Sequence, residues 1–425
     1  MDRRTEAQCR FLDGAHSQYH AQARLVEALK EQGYLPLSEA NRWEIVPGGR
    51  YYVTRGGTAV IAFRIPEGEA QGFLLSASHT DRPTFKLKDS PEIPGCYTRA
   101  AVEKYGGAIL STWLDRPLSL AGRVLGETEN GAEARLVDID RDLMLIPSVA
   151  IHMNRQANDG YKWDLKSDLT PLVGLGEDGG KLASLLEEAA GGKILSHDLY
   201  LYIRQKAALW GGGQFLSAQA LDDLQCVWGC FQGFLKAGAS RSIPVFAALD
   251  SEEVGSCSAQ GAGSSFLEDT LSRIANRIGR DARELLSQSF LVSADNAHAV
   301  HPNHPELADP GAAPMPGGGI VLKYNASLRY CTDGLGAAIF RTVCRKADVP
   351  VQSYYNRADI PGGSTLGHIS LAHVSVPTAD IGLPQLAMHS CYETASPVDE
   401  IYLEDAMAAF YGSTLAVSEQ GFFLS

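Results

Sequence analysis

Apolar runs that stop abruptly at histidines and carboxylates constrain this chain more than any other feature. Gly72-Phe-Leu-Leu-Ser-Ala-Ser78 reads as a buried strand and ends at His79-Thr80-Asp81. Ile243-Pro-Val-Phe-Ala-Ala-Leu249 runs into Asp250-Ser251-Glu252-Glu253-Val254-Gly255, and Ser289-Phe-Leu-Val-Ser293 into Ala294-Asp295-Asn296. Ala220-Leu221-Asp222-Asp223 and Met388-His389-Ser390 complete the set of five. In an open parallel sheet the carboxyl ends of the strands are where sites form, so the pattern predicts an α/β fold with its chemistry gathered along one edge.

The rest of the chain fits that frame. Apolar residues recur at helical spacing from Glu6 to about Lys30, with Gly33 placed to end the helix. Tyr51 to Phe63 reads as a hairpin turning at Arg55-Gly56-Gly57-Thr58. Between about Ser90 and Gly211 the texture becomes strand-rich, as in Ala134-Arg-Leu-Val-Asp-Ile139 and Asp198-Leu-Tyr-Leu-Tyr-Ile203. After Gly211-Gly212-Gly213 the α/β texture returns, with a further strand expected over Val374–Ala379 and a last helix over Val398–Val417. The expected organisation is therefore an α/β domain over residues 1–89 and 212–425, interrupted by a β-rich domain over 90–211. The glycine triplets at 211–213 and 317–319 lack the following Lys-Ser/Thr of a phosphate loop and read as hinge or loop.

Composition excludes several classes. With 45% hydrophobic and 20% charged residues over 425 positions, the chain can bury a sizeable core and is neither disordered nor fibrous. Its 37 Lys+Arg against 50 Asp+Glu leave a net charge of −13, which argues against a nucleic-acid backbone or an anionic membrane as partner. No stretch approaches the roughly 20 apolar residues that span a bilayer, and no apolar segment follows the charged N-terminus. The 8 cysteines are too sparse for a disulfide scaffold, and Cys226 and Cys230 share one helix face as packing residues. The expectation is a soluble, reduced, cytoplasmic protein.

The five polar segments supply two histidines and several carboxylates with no thiolate. That donor set suits zinc, manganese or cobalt in a site that keeps an open position. Two ions about 3.5–4 Å apart need a bridging carboxylate and two terminal ligands each. The adjacent Glu252-Glu253 pair can place one carboxylate on metal and the other toward a substrate water, since neighbouring side chains point in different directions.

Taken together, Ser-His79-Thr-Asp81-Arg-Pro, Leu-Asp222-Asp, Asp-Ser-Glu252-Glu253-Val-Gly-Ser, Ser-Ala-Asp295-Asn-Ala-His-Ala-Val-His-Pro-Asn and Met-His389-Ser resemble the aspartyl aminopeptidases, co-catalytic zinc exopeptidases. The resemblance implies an α/β/α zinc exopeptidase domain split by a dimerisation domain. It also implies two Zn2+ per subunit, with Mn2+ or Co2+ as possible substitutes. Asp222 would bridge; His79 and Asp295 would complete one metal, Glu253 and His389 the other. Glu252 would be the general base and Asp81 the carboxylate that orients His79. His152 would reach a neighbouring subunit's site and stabilise the oxyanion. Lys323 would pair with an acidic substrate side chain, and Asp359, Gly363, Ser364 and Thr365 belong to a loop near the substrate. The partners implied are a peptide and further copies of the chain, built from dimers up to a dodecamer.

From the residues alone, His152 reads as an interface or strand histidine and Lys323 as a solvated strand lysine. His298, His301 and His304 mimic a metal run, but Pro302 and Pro305 break any helix that would stack them. Arg82, Leu328, Gly362 and His368 depart from residues common in relatives, near the expected specificity pocket. The implied reaction is removal of N-terminal Asp or Glu from peptides. A two-metal carboxypeptidase or deacylase would use the same ligands, and a catalytically silent assembly protein on this fold is the third reading.

Overall fold

Alternating apolar side chains build a central sheet that is greasy on both faces. The molecule is described by a computed structural model covering residues 2–176, 181–360 and 362–425. Among these residues nine strands pair in the order Leu35–Leu37, Arg50–Arg55, Ala59–Arg64, Ile243–Leu249, Phe73–His79, Phe290–Ala294, Thr378–Gly382, Ile320–Tyr324 and Val351–Tyr355. Leu74, Phe246, Ala248 and Val292 face one helical layer, formed largely by Gln18–Glu31, Leu221–Lys236, Gly334–Lys346 and Pro397–Tyr411. Leu75, Ala77, Val245, Ala247 and Leu291 face the other, which includes Phe266–Arg277 and Leu366–Ser370. Strands buried on both faces explain why the sequence shows continuous apolar runs there.

Phe73–His79 lies at the middle of the sheet, parallel to both neighbours, Ile243–Leu249 on one side and Phe290–Ala294 on the other. Its carboxyl end therefore lies between those of two parallel neighbours, at the edge along which open α/β sheets place their clefts.

The strand-rich stretch forms a separate six-stranded antiparallel sheet, Gly131–Asp138, Leu118–Thr128, Ile194–Ile203, Thr84–Ile93, Tyr97–Tyr105 and Leu172–Leu175. It has its own core of Phe85, Leu87, Leu118, Leu120, Leu199 and Leu201, covered by Leu182 and Leu186 of the helix Lys181–Ala190. Its strands run from Thr84 to Ile203, whereas sequence texture put the break at 90 and 211. Phe85 and Leu87 alternate into the core of this sheet, and Ala208–Trp210 pairs instead with Phe215–Ala218 in a five-stranded sheet.

Other differences from the sequence reading have local causes. The helix expected over 6–30 is two, Arg3–Leu12 and Gln18–Glu31, the second capped by Ser17, whose side chain accepts from the His20 N–H. The strand expected over 374–379 begins at Thr378, because Pro377 has no N–H to donate, and Val374 and Val376 pack as buried loop residues instead. The last helix stops at Tyr411 with Gly412 at its cap, and Leu415–Ser418 then forms a hairpin with Gly421–Leu424. Gly317 and Gly319 donate their N–H groups to Asp399, which makes that triplet a structural loop. Among the described residues no helix is long and apolar enough to cross a membrane.

Candidate metal centre

The parallel strands carry four of the predicted residues to one place. His79 ends its strand in register with Leu249, so the Glu252–Val254 turn leaves beside it, and Asp295 follows the neighbouring strand directly. Asp222 and His389 arrive from the five-stranded sheet, Asp222 in the first turn of Leu221–Lys236 after Phe215–Ala218, His389 after Pro384–Leu386. The approaches require left-handed backbone at Ala220, Ser251 and His389, with φ of 54°, 66° and 69°. Non-glycine residues pay about 1–3 kcal/mol each for such conformations, which persist where the surroundings over-determine them and cluster at functional sites.

Asp222 joins the two halves of the cluster. Its Oδ1 lies 3.5 Å from His79 Nε2, and its Oδ2 lies 3.4 Å from His389 Nε2. The same His389 nitrogen is 3.4 Å from Glu253 Oε2. Ligand atoms held tetrahedrally at about 2.0–2.1 Å from zinc sit roughly 3.3–3.4 Å apart, so these spacings are those of ligands around a common ion. His79, Asp222 and Asp295 form one convergent group, Asp222, Glu253 and His389 a second, and His79, Glu252 and Glu253 a third. Asp222 Oδ1 and Glu253 Oε1 are buried without a hydrogen-bond partner. Buried carboxylate oxygens are costly unless paired or bound to metal, so the cluster fits a cation.

The electrostatics agree. Burial pushes the Glu252 carboxyl up to about 8, Asp295 and Asp222 adding to the effect against the pull of His79. Burial also raises Glu253 well above its ordinary range, with Asp222 the main charged contributor. Burial alone would depress both histidines, but the adjacent carboxylates, Asp222 first among them, outweigh it and bring His389 up to about 10. The cluster thus holds protons that a divalent cation would displace.

A layer of buried groups holds these side chains. Asp81 lies with Oδ1 3.4 Å from His79 Nδ1 and accepts the backbone N–H groups of Glu252 and Glu253 at 3.0 and 3.2 Å. His79 Nδ1 is also 3.1 Å from the Asp81 carbonyl, which can only accept, so Nδ1 carries the proton and Nε2 faces Asp222. Sequence reasoning missed Glu393, which accepts from the Asp222 N–H at 3.0 Å and the His389 N–H at 2.8 Å and so ties the two segments together. It also missed Asp223, which accepts from the His79 N–H at 3.1 Å. Both stand within four residues of a predicted ligand, and that proximity was the only available signal.

The cluster opens into a cavity of about 190 Å³ whose walls include Glu252, Asn296, His298, Lys323, Tyr330 and Tyr354. Gly363, Ser364 and Thr365 line it too, Thr365 being held by Asp380 at 2.7 Å. Lys323 is not a solvated strand lysine: it is 2% exposed, and its Nζ donates to the Asp295 carbonyl at 2.6 Å. Two predicted residues lie elsewhere. Asp359 is exposed and paired with Arg357 at 2.6 and 2.8 Å, away from the cavity wall that includes Gly363, Ser364 and Thr365. His152 is exposed on a turn of the intervening segment, beside Ile151 and Met153, which are 49% and 83% exposed. His301 and His304 belong to none of the convergent groups among the described residues.

The four departures from relatives do not line the cavity either. Arg82 turns away to donate to the carbonyls of Ala15 and His16, Leu328 is 62% exposed, and His368 caps the Thr365 carbonyl at 2.8 Å. The Gly362 carbonyl accepts from Arg329 at 3.1 Å. Cys226 and Cys230 are both buried in one helix, as packing residues.

Comparison with known proteins decides the family. The family model described as "Aminopeptidase I zinc metalloprotease (M18)" matches residues 11–411. This chain belongs to the M18 aminopeptidase family. It is 38% identical over 418 residues to a protein of Clostridium acetobutylicum named probable M18 family aminopeptidase 2, covering 94% of this chain and 96% of that one. The protein of the same name from Pseudomonas entomophila is 39% identical over 416 residues, covering 95% and 96%. Among solved structures, the Ape4 and Nbr1 complex superimposes with a TM-score of 0.93 at 35% identity, covering 96% of this chain and 85% of that one. The mApe1 dodecamer of S. cerevisiae gives 0.84 at 26% identity, with 96% of each chain covered. The enzyme is therefore a zinc metallo-aminopeptidase, with the zinc exopeptidase fold and its β-rich insertion.

Proposed function

We propose that this M18 aminopeptidase removes N-terminal Asp or Glu from peptides, using two zinc ions per subunit. The observation that carries the two-ion reading is the Asp222 carboxylate, each oxygen of which faces a different histidine at 3.4–3.5 Å. His79 and Asp295 complete one ligand set, and Glu253 and His389 the other. Bound zinc supplies Lewis-acid polarisation of the scissile carbonyl and lowers the pKa of a coordinated water toward about 7.

The chain's own residues do the rest. Glu252 lines the cavity and Glu253 does not, which supports Glu252 as the base: it takes a proton from the attacking water and delivers it to the leaving amine. Asp81 holds His79 in one tautomer and fixes the backbone that carries both glutamates. Among the described residues lining the cavity, Lys323 is the one Lys or Arg, which supports an acidic side chain as its occupant. Gly363, Ser364 and Thr365 form part of the same wall.

His152 has no role within its own subunit's cluster. Its exposed position among apolar neighbours supports a contact with a second copy, whose developing oxyanion it stabilises. Assembly from dimers to a dodecamer is the matching reading, and all eight cysteines being free thiols suits the cytoplasm.

The test compares Asp-, Glu-, Leu- and Lys-anilides, free and N-acetylated, with and without a chelator. The expected result is turnover of free Asp and Glu substrates only, lost on chelation and restored by two equivalents of zinc. Faster turnover of Leu or Lys sinks the acidic preference, and full activity at one equivalent sinks the second ion. Hydrolysis of the N-acetylated substrates points instead to a deacylase.

A further inference from the structure

Among the described residues, the segment Tyr105 to Thr112 carries the intervening sheet to the metal centre of its own subunit. Tyr105 closes the strand Tyr97–Tyr105, its ring set edge-on to Tyr200 with centroids 5.4 Å apart. Its hydroxyl donates to Asp81 Oδ2 at 2.8 Å, the oxygen that also accepts the Glu253 N–H. Asp81 is wholly buried, so this phenol is part of what fixes the carboxylate between His79 and the two glutamates.

The next residues reach the opposite side of the cluster. The Gly107 carbonyl lies 3.1 Å from His389 Nδ1 and must accept from it, which leaves Nε2 free to face Asp222 and Glu253. The Ile109 N–H donates to the His389 carbonyl at 2.9 Å. Thr112 holds Cys391, accepting the Cys391 N–H at 3.1 Å through Oγ1 and its thiol at 2.8 Å through its carbonyl. Contact this close favours glycine, above all at the left-handed Gly106. A Cβ on Gly106, whose φ is +73°, would stand 3.1 Å from Glu253 Cβ, and one on Gly107 would stand 3.3 Å from His389 Nδ1.

We infer that Tyr105–Thr112 is a positioning clamp, through which the intervening sheet sets the orientation of ligands on both sides of the metal pair in its own subunit. The inference rests on the ligand assignment above. Tyr105 and Gly107 act through Asp81 and His389, so they are positioning groups and do not touch substrate. The insertion thus has a duty within the subunit that is separate from any pairing of subunits.

Two full-length variants test it, Tyr105→Phe, which removes one hydroxyl, and Gly106→Ala, which inserts one methyl against Glu253. Groups that orient metal ligands typically contribute about 10–100-fold in metal affinity or activity. Zinc affinity of Tyr105→Phe, measured by chelator competition, should fall in that range, with kcat falling alongside and KM within about twofold of wild type. The visible spectrum of the cobalt-substituted variant should shift, a change that loss of stability alone does not produce. Gly106→Ala should show the larger loss; if it does not fold, Tyr105→Phe decides. Wild-type zinc affinity and cobalt spectrum in Tyr105→Phe overturn the clamp, whatever kcat does. Absence of zinc-dependent peptidase activity in the wild type would instead overturn the reading of the site on which the clamp rests.

Discussion

Two carboxylate sites in this molecule, one partly buried and one buried, behave in opposite ways. In the intervening sheet, Asp198 is surrounded by donors: Lys86 Nζ at 2.8 Å, Arg123 Nη2 at 2.7 Å and the Tyr19 hydroxyl at 3.1 Å. Burial alone would raise its pKa, and the Lys86 and Arg123 bonds more than reverse that, bringing it down to about 2. At the strand ends, Asp222, Glu252, Glu253 and Asp295 crowd together with two histidines, and Glu252 is pushed up to about 8. The first cluster is electrostatically complete and ties the sheet to the helix Gln18–Glu31. The second leaves Asp222 Oδ1 and Glu253 Oε1 buried without a hydrogen-bond partner, although two histidines and Lys323 stand beside it. A satisfied buried charge marks architecture; an unsatisfied convergent group marks a site awaiting a ligand.

Removing the base should give the largest effect. Glu252→Gln keeps the shape of the cavity but cannot accept a proton, so kcat should fall about 10²–10⁴-fold while metal analysis still finds both zinc ions. Loss of zinc from this variant, with zinc and activity retained in Glu253→Gln, reverses the two roles. The comparison itself is tested by metal removal. Zinc that binds only the folded state adds about 4 kcal/mol of stability at a thousandfold excess over its Kd, so the chelated protein should melt well below the holoenzyme. Asp198→Asn should lower both melting points and leave the zinc-dependent gap unchanged. A gap that shrinks means the two clusters are not independent.

The third prediction asks whether the incomplete cluster is completed from outside. His152→Ala should retain both metals and lose about 10²–10³-fold in kcat, the usual consequence of losing one oxyanion donor. Mixing it with Glu252→Ala under subunit exchange should restore part of the activity, since one variant supplies the intact metal site and the other the histidine. Confirmed exchange without recovery places His152 in its own chain or outside the reaction.

Legibility from sequence followed the range of the interaction. His79, Asp295 and the Glu252-Glu253 pair could be found because each follows an apolar run, and parallel pairing of such runs brings their ends together whatever lies between. Their supports were harder to see. Glu393 stands four residues past His389, but its hold on Asp222, 171 positions away, and that of Tyr105 on Asp81 across a sheet boundary have no local pattern to announce them. Lys323 looked like a solvated residue because one lysine in an apolar strand carries no mark of burial; its acceptors are carbonyls of a separate strand end. The fold class was readable from the alternation of textures, but the edge of the intervening sheet was not. Thr84–Ile93 continues past a composition break, and strand pairing, not composition, decides which sheet it joins.

The smallest predicted effect probes the satisfied cluster by pH. Asp198 has a folded pKa lowered to about 2 from an ordinary value of 3.8, so its ionised form is the one the fold prefers. The stability it contributes is fully present above about pH 4 and is lost as pH falls through 2. Asp198 is only partly buried, its side chain 26% exposed, so solvent screening reduces the contribution to about 1–2 kcal/mol. Asp198→Asn keeps the shape and removes the charge. In urea unfolding of metal-free protein it should be destabilised by that amount at pH 7, the difference narrowing below pH 4. A difference that persists undiminished toward pH 2 would mean that the variant acts through packing against Tyr19 and Arg123, and that the cluster is complete by shape more than by charge.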